Sequence, residues 1–262
     1  MHDGHGNVKL AINTFHDLTE HFRANERLRF LGETSALLAS SLDFEQTLGR
    51  LGDLIVPAIA DYCIVDLVRE GTPRRQAVLR HVNPEREEIL RTIRERYPPE
   101  TNPQHPATRV LATSEPLLIT DALPAIATAA RDDEHLALYR RLDPTSYLVV
   151  PLLARGRIIG TLSLGTGESG RRFSEDDVAF AADVAGRIAL GVENARLYTE
   201  VGESLALLDT LLVSSPVAIG FWDRELRFVR VNDALAAINH ATPEEHVGKT
   251  LEEVIPGLAP QL

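Results

Sequence analysis

Apolar positions fall into two rhythms along this chain, one helical and one extended. Residues 24–42 carry apolar or small side chains at Ala24, Leu28, Leu31, Ser35, Leu38 and Leu42. The steps alternate between four and three, which predicts a helix with a heptad seam. A second helix is predicted from Phe44 to Ile55, ended near Pro57. Tyr62 to Val68 and Gln76 to Val82 read as two strands around a turn at Gly71-Thr72-Pro73. Asn83-Pro84 opens a charged helix to about Tyr97, with Asn83 as N-cap and Pro84 at the first helical position. Pro98, Pro99, Pro103 and Pro106 make an irregular loop. A short helix (Ala107 to Thr113), a short strand (Pro116 to Thr120) and a helix from about Asp133 to Leu142 follow.

The densest pattern runs from Thr145 to Leu197. Leu148-Val-Val-Pro-Leu-Leu153 is apolar at every position, so both faces of this strand should be covered. A tight Ala154-Arg-Gly-Arg157 turn joins it to a second apolar strand ending at Gly165, which predicts a hairpin. Ser174 followed by Asp177 is a near capping box for a long helix over 173–213. Its seam at Ala181, Ala185, Ile188, Val192 and Ala195 is followed by Tyr198, Val201, Leu205, Leu208 and Leu212, about three residues out of phase. Such a step resembles a stammer in a coiled coil. Ser214-Ser215-Pro216 should end the helix. Beyond it, Val217 to Trp222 and Phe228 to Val231 flank a turn at Asp223-Arg-Glu225, and Asn232 starts a short helix. Near the other end, a glycine-rich turn feeds one predicted strand from Val8 to Phe15.

At 262 residues the chain holds one large or two modest domains with real cores. Its 27 Lys and Arg against 38 Asp and Glu give a charge of −11 with the signs interspersed. That lacks the basic face which nucleic acid or an anionic membrane requires. A single cysteine, Cys63, excludes an intrachain disulfide and fits a reducing cytoplasm. No apolar run reaches the roughly 20 residues that span a bilayer, and Met1-His-Asp-Gly-His-Gly6 is not a signal peptide.

The hairpin, loop and long exit helix from Thr145 to Leu197 resemble the C-terminal half of a GAF domain, a sensory module; the wider resemblance spans about residues 24–200. Five of that family's six strands are accounted for. Residues 3–19, ending in Asp17-Leu18-Thr19, resemble the last strand and exit of a PAS domain. Residues from Val217 resemble the start of another, which Leu262 leaves about half complete, so both ends read as cut. The resemblance implies an α+β fold: an antiparallel sheet covered by helices on both faces, long coiled-coil-like helices at either end of the GAF core, and partial PAS folds outside them. The implied order is a PAS remnant over 1–23, GAF over 24–200, a linker helix over 201–213 and the N-terminal part of a PAS domain over 214–262. It resembles cytoplasmic parts of bacterial multidomain sensors, whose outputs are histidine kinases or serine phosphatases.

From the family's geometry, a small-molecule pocket should lie between the sheet and the 98–142 segment. Its expected residues are Tyr62, Ile64, His81, Arg109, Asp121, Ser146, Leu148, Thr161 and Ser163. Strand alternation puts Ser146 with Leu148 and Thr161 with Ser163, without deciding which face meets the pocket. The resemblance also implies a homodimer through helices 18–42 and 173–213. Neither nucleic acid nor direct membrane insertion is expected, and the sequence names no cofactor.

Several motifs have plainer readings. Gly165-Thr-Gly167-Glu-Ser-Gly170 matches G-x-G-x-x-G, but no second parallel strand bearing an acid follows, so a mobile turn is expected. His16-Asp17-Leu18-Thr19 faintly resembles a histidine-kinase phosphoacceptor box, yet the glycine boxes for ATP are missing. Met1-His2-Asp3-Gly4-His5 offers no third or fourth metal ligand. His135 and His240 read as exposed, while His81 ends an apolar strand near the expected pocket. Cys63 reads as a small buried apolar residue. The Asn-Lys-x-Phe-Asp-Glu type signature of cyclic-nucleotide-binding relatives is absent, as is any Ser/His/Asp or Cys/His constellation. Asp132-Asp133 and Asp176-Asp177 suit helix starts. Two rivals to a sensor remain: a purely structural dimerisation module, and a kinase in its own right.

Overall fold

The computed structural model describes residues 19–39, 44–69 and 72–256. The strand expected over Val8–Phe15 and the Gly71 turn lie outside the described residues. Two compact units divide at Ala195/Arg196.

The first unit is built on five antiparallel strands: β1 (Tyr62–Arg69), β2 (Thr72–His81), β3 (Leu117–Ile119), β4 (Ser146–Ala154) and β5 (Arg157–Thr166). Their order across the sheet is β2-β1-β5-β4-β3. Between β4 and β5, Arg155 and Gly156 have φ of 51° and 75°. Two successive positive φ values match the right-handed twist of the flanking strands, as hairpin turns require.

Helices cover both faces. On one lie α1 (Thr19–Ala39), α2 (Phe44–Ala58) and α7 (Glu175–Ser214). They enclose a core with Cys63, Val65, Val78, Leu148, Val150, Leu152, Leu162 and Leu164 of the sheet. On the other lie α3 (Pro84–Arg96), α4 (Pro106–Thr113), α5 (Ala122–Ala127) and α6 (Asp133–Leu142). These pack on Tyr62, Ile64, Leu79, Tyr147 and Val149. Within α2, Val56 is extended (φ −101°, ψ 121°), as the residue before Pro57 should be. Asn83 and Asp132 cap α3 and α6 with side-chain hydrogen bonds, in the roles their positions suggested. The proline-rich loop contains a single 3-10 turn (Pro99–Thr101), and α5 is a helix the sequence pattern did not announce.

The predicted seam positions of α1 divide between core and surface. The residues packed inward are Phe30, Leu31, Thr34, Leu37 and Leu38, the wide stripe of a helix lying on a globular core. Leu28 is instead 66% exposed. Likewise Ala181, Ala185 and Ile188 of α7 are buried in this unit's own core, while Tyr198, Val201, Leu205 and Leu208 are exposed. The phase step therefore separates residues that fill the core from residues that do not.

One carboxylate joins α1 to α7. Asp177 Oδ2 accepts from the Ser174 amide (3.0 Å) and hydroxyl (2.9 Å), and its Oδ1 accepts from Arg171 (2.7 Å) and Arg27 (3.1 Å). The Arg27 guanidinium also lies 5.2 Å from the Phe180 ring centroid, and Phe180 meets Phe30 edge-on at 5.7 Å. Burial alone would raise the Asp177 pKa; the Ser174 hydrogen bonds and the two arginines outweigh it and hold the group below its ordinary value.

The second unit, Arg196–Leu262, contains a hairpin of β6 (Gly220–Trp222) and β7 (Phe228–Val231), then α8 (Asp233–Ile238), α9 (Pro243–His246) and α10 (Leu251–Val254). Phe228, Val231 and Ala236 form its small core. Asn232 organises it: Oδ1 accepts from the Ile219 and Leu235 amides, and Nδ2 donates to the Leu212, Ser215 and Val217 carbonyls. Full capping boxes start α9 (Thr242, Glu245) and α10 (Thr250, Glu253).

Two outcomes follow from these contacts. Asp177→Asn should cost about 1–3 kcal/mol at pH 7 in urea melts, because a charged acceptor with four donors is lost. A depressed carboxylate pKa contributes stability above the unfolded value, near pH 4, that disappears as pH falls through the folded one. The variant should thus lose less stability than wild type between pH 4 and pH 2; parallel acid limbs would refute the assignment. Separately, a Cβ on Gly165 would lie 1.9 Å from the Tyr62 ring. Gly165→Ala should destabilise by about 1–3 kcal/mol, with partial recovery on adding Tyr62→Leu; an unchanged urea midpoint for the single variant would show that Tyr62 does not cover that position.

Candidate functional site

The register of the sheet decides which side chains meet on the α3–α6 side. Ile64 opposes Ser163, Asp66 opposes Thr161, and Tyr62 opposes Gly165. Val149, Pro151 and Tyr147 oppose Ser163, Thr161 and Gly165 from β4. Directly opposed residues share a face. Tyr62, Ile64, Thr161 and Ser163 therefore converge with Tyr147 and Val149 beneath α3–α6.

Aromatic rings line one end of this layer. His81 stacks on Tyr62 at 5.6 Å and 8°, and Tyr62 lies over Tyr147 at 6.2 Å and 26°. His81 Nδ1 accepts from the Asn83 amide at 2.9 Å, which requires that nitrogen to be unprotonated. Burial lowers the His81 pKa, in keeping with that neutral role. Burial pushes the Tyr62 phenol well above its ordinary range, reinforced by Tyr147, Tyr139 and Asp61; the Tyr139 phenol is raised for the same first reason.

The other end is polar. Asp66 is fully buried in a strand that is otherwise largely apolar, and Arg94 of α3 pairs with its Oδ1. Beside it, the Thr161 and Ser163 hydroxyls are buried without a hydrogen-bond partner. Each such group costs about 1–3 kcal/mol if nothing satisfies it.

The remaining expected residues lie elsewhere. Leu148 and Ser146 face the α1/α2/α7 side: Leu148 sits in that core, and Ser146 Oγ accepts from the Phe173 amide while donating to the Ile119 carbonyl. Grouping them with Thr161 and Ser163 put both faces of the sheet into one pocket. Arg109 and Asp121 are exposed, the latter as a non-capping residue before α5. His135, expected at the surface, is buried and stacked on Tyr97 at 3.9 Å; its Nδ1 accepts from the Arg131 amide and its Nε2 has no partner. The amphipathic stripe of α6 (His135, Leu138, Tyr139, Leu142) turns it inward.

The glycine-rich turn, expected to be mobile, is anchored by a carboxylate. Asp61 Oδ2 accepts from the Gly167 amide (2.7 Å), the Ser169 amide (2.9 Å) and the Ser169 hydroxyl (2.8 Å). A carboxylate thus occupies the amides that a phosphate cradle would present. Cys63 is buried, and burial pushes its thiol up to about 12. Among the described residues, no group of three His, Cys, Asp or Glu side chains could hold a metal ion. None of their helices is long and apolar enough to cross a membrane. The residues that pattern reading missed are Asp61, Asp66 and Arg94. A lone acid inside the apolar run Tyr62–Val68 was the available signal for Asp66.

Known proteins bear on this architecture in two ways. The family profile described as GAF domain matches residues 43–192, and the profile described as PAS fold matches residues 212–262. Among solved structures, the chain resembles the GAF domain of a phosphoenolpyruvate-protein phosphotransferase from Coxiella burnetii. That pair shares 18% identity, 68% of this chain and 98% of the other are covered, and the TM-score is 0.50. The GAF domain of an Acinetobacter phosphoenolpyruvate-protein phosphotransferase shares 15% identity over 67% of this chain and 95% of its own, at a TM-score of 0.47. The GAF domain of a putative sensor histidine kinase from Pseudomonas syringae pv. tomato shares 17% over 70% and 97%, also at 0.47. No curated protein matches the sequence. At 18% identity the Coxiella burnetii structure speaks to the fold alone. The GAF profile, however, covers more than half of the 262 residues and coincides with the two-faced sheet and its helices, so this chain belongs to the GAF domain family.

Proposed function

We propose that this chain is a regulatory module of a bacterial multidomain sensor. A small molecule, or a conformational state, on the α3–α6 side of the sheet biases the arrangement of α1 and α7. Those helices, paired across a homodimer, pass the bias to an output domain outside these residues, a histidine kinase or a serine phosphatase. Tyr62, Ile64, His81, Thr161 and Ser163 are the contact residues in this reading. The chain regulates and leaves chemistry to its neighbour.

The observation that carries the reading is the alternation within single strands. On β4, Val149 belongs to the α3–α6 core, while Leu148 and Val150 belong to the α1/α2/α7 core. Close-packed interiors transmit strain, so spreading one layer loads the other through the same backbone. Asp177 then ties α1 to the first turn of α7. Tight binding alone shifts nothing; the ligand must prefer one helix arrangement, and a switch from 1:99 to 99:1 needs about 10⁴-fold preference.

A second reading, a purely structural dimerisation module, is favoured by the phenol-filled interior at Tyr62, Tyr139 and Tyr147. Both readings need the homodimer; they part on whether contact residues change output. In the sensor, Ser163→Leu alters output of the parent protein while the dimer persists; in the structural module output is unchanged.

The dimer is tested directly by sedimentation. Tyr198, Val201, Leu205 and Leu208 are 55–71% exposed and would supply its seam. The wild-type chain should sediment as a dimer at micromolar concentration. Leu205→Glu with Leu208→Glu should give a monomer, with unfolding of the first unit changed by no more than about 0.5 kcal/mol. A wild-type monomer from nanomolar to high micromolar concentration would remove the relay.

A further inference from the structure

Three of the described histidines are buried, and they differ in what their nitrogens meet. In the second unit, His246 has both engaged: Nδ1 donates to the Thr242 carbonyl (2.7 Å) and Nε2 accepts from Asn239 (2.9 Å). His81 lies among three acids, Glu168, Asp61 and Glu87, which would balance a charge on its ring. His135 has neither arrangement. It is 3% exposed, its Nδ1 accepts from the Arg131 amide at 3.3 Å, and among the described residues its Nε2 finds no partner. Asp132 is the acid beside it, and the Arg131 cation opposes that acid.

The His135 ring sits inside a seam between two segments, 96–102 and 129–135. Tyr97, at the end of α3, stacks on it at 3.9 Å and 2°, and Tyr139 of α6 tilts against it at 4.5 Å and 32°. Around this stack the Tyr97 hydroxyl donates to Asp132 (2.8 Å), and Arg96 pairs with Glu134. Arg131 donates to the Pro98 carbonyl (3.1 Å) and the Thr101 hydroxyl, and Asn102 donates to the Ala129 carbonyl (3.2 Å). Most of these contacts face water, where ion pairs contribute little. The buried ring and its aromatic neighbours are therefore the main hold on the seam. The remaining neighbour of α6, α5, has no titratable side chain.

A proton changes that hold. The neutral ring carries its hydrogen on Nε2, because Nδ1 is an acceptor. A second proton must enter at Nδ1, which ends the Arg131 bond and leaves a charge and two donors in a buried place. Asp132 and the faces of the two tyrosines attract an imidazolium. Burial outweighs them, aided by Arg131, and the His135 pKa is lowered. We propose that His135 is a proton-sensitive clasp: neutral, it pins the 129–135 segment to the end of α3; charged, it lets that segment open. The clasp is at full strength above the ordinary histidine value of about 6.5. It weakens as pH falls below that, because the open segment binds a proton that the closed one resists. It needs neither a small molecule nor the homodimer, and gives a regulatory module acidity as an input.

Hydrogen exchange of the full chain, read by mass spectrometry of its peptides and corrected for the intrinsic pH dependence of exchange, reports this opening. From pH 7.5 to pH 5.5, peptides covering 96–102 and 129–137 should open about three- to tenfold more often, with Phe180–Ala189 unchanged. His135→Phe keeps a ring in the stack but cannot titrate, so its opening should not respond to pH. If that variant does not fold, His135→Asn, which keeps an acceptor for the Arg131 amide, should behave the same way. A wild-type chain whose opening is flat over this range overturns the proposal, as does an acid step shared by the whole first unit or one that survives in a folded variant. Should neither variant fold, the wild-type step decides, by being confined to these two peptides or not. The small-molecule reading and the homodimer are untouched by any of these results.

Discussion

Everything in the first unit depends on burying the central strands on both faces. A half-exposed sheet can give one face to water; this one cannot, because Leu148, Val149 and Val150 are all fully enclosed. Two helical layers are therefore obligatory, and the chain supplies them from different stretches of sequence. The α3–α6 layer comes from the segment between β2 and β4. The opposite layer comes from α1, α2 and α7, which arrive from either end of the unit. Among the described residues, the strands supply side chains to both cores.

Polar contacts fix how those layers are held, and they do so with few residues. Asp61 collects three donors from the turn after β5, and Asp177 collects four from the Arg171–Ser174 segment and α1. Each carboxylate sits where backbone amides would otherwise be orphaned, and charge-assisted hydrogen bonds are about twice as strong as neutral ones. A glycine-rich loop that could be mistaken for a phosphate cradle is thereby committed to structure. Removing either acid would release a segment without opening the hydrophobic core.

The sequence was legible where one physical signal dominated. Asn83-Pro84 and Asp132 announced helix starts because capping is local, and the Ala154–Arg157 turn announced its hairpin for the same reason. The β4 run announced double burial because polar residues vanish from it. That same uniformity erased the period-two signal, so Ser146 and Leu148 could not be told from their neighbours on the other face. Pairing with β1 decides the matter, through Ile64 opposite Ser163, and pairing is not local. In α1, a heptad seam and a globular stripe share Leu31 and Leu38; only the contact with α2 and α7 separates Leu28 from Phe30. Asp66 went unnoticed because its partner lies 28 residues away on α3.

The same logic bears on α7. Beyond Ala195 the helix leaves the core of the first unit, and residues 201–210 are all exposed. Helical turns are costly to start and cheap to extend, so the buried segment at Phe180–Ala189 supplies the nucleus from which the rest propagates. Propagation explains why a helix exists there; it does not explain Tyr198, Val201, Leu205 and Leu208 in water. A second copy would bury that stripe without disturbing the core. A seam held by side chains outside the core can favour one register or another without unfolding anything. That freedom is what a relay requires, since small shifts at a packed site become switches only where an element has two discrete arrangements. The division of α7 into a core-bound segment and an exposed one is therefore the feature of this chain that the proposed relay would use.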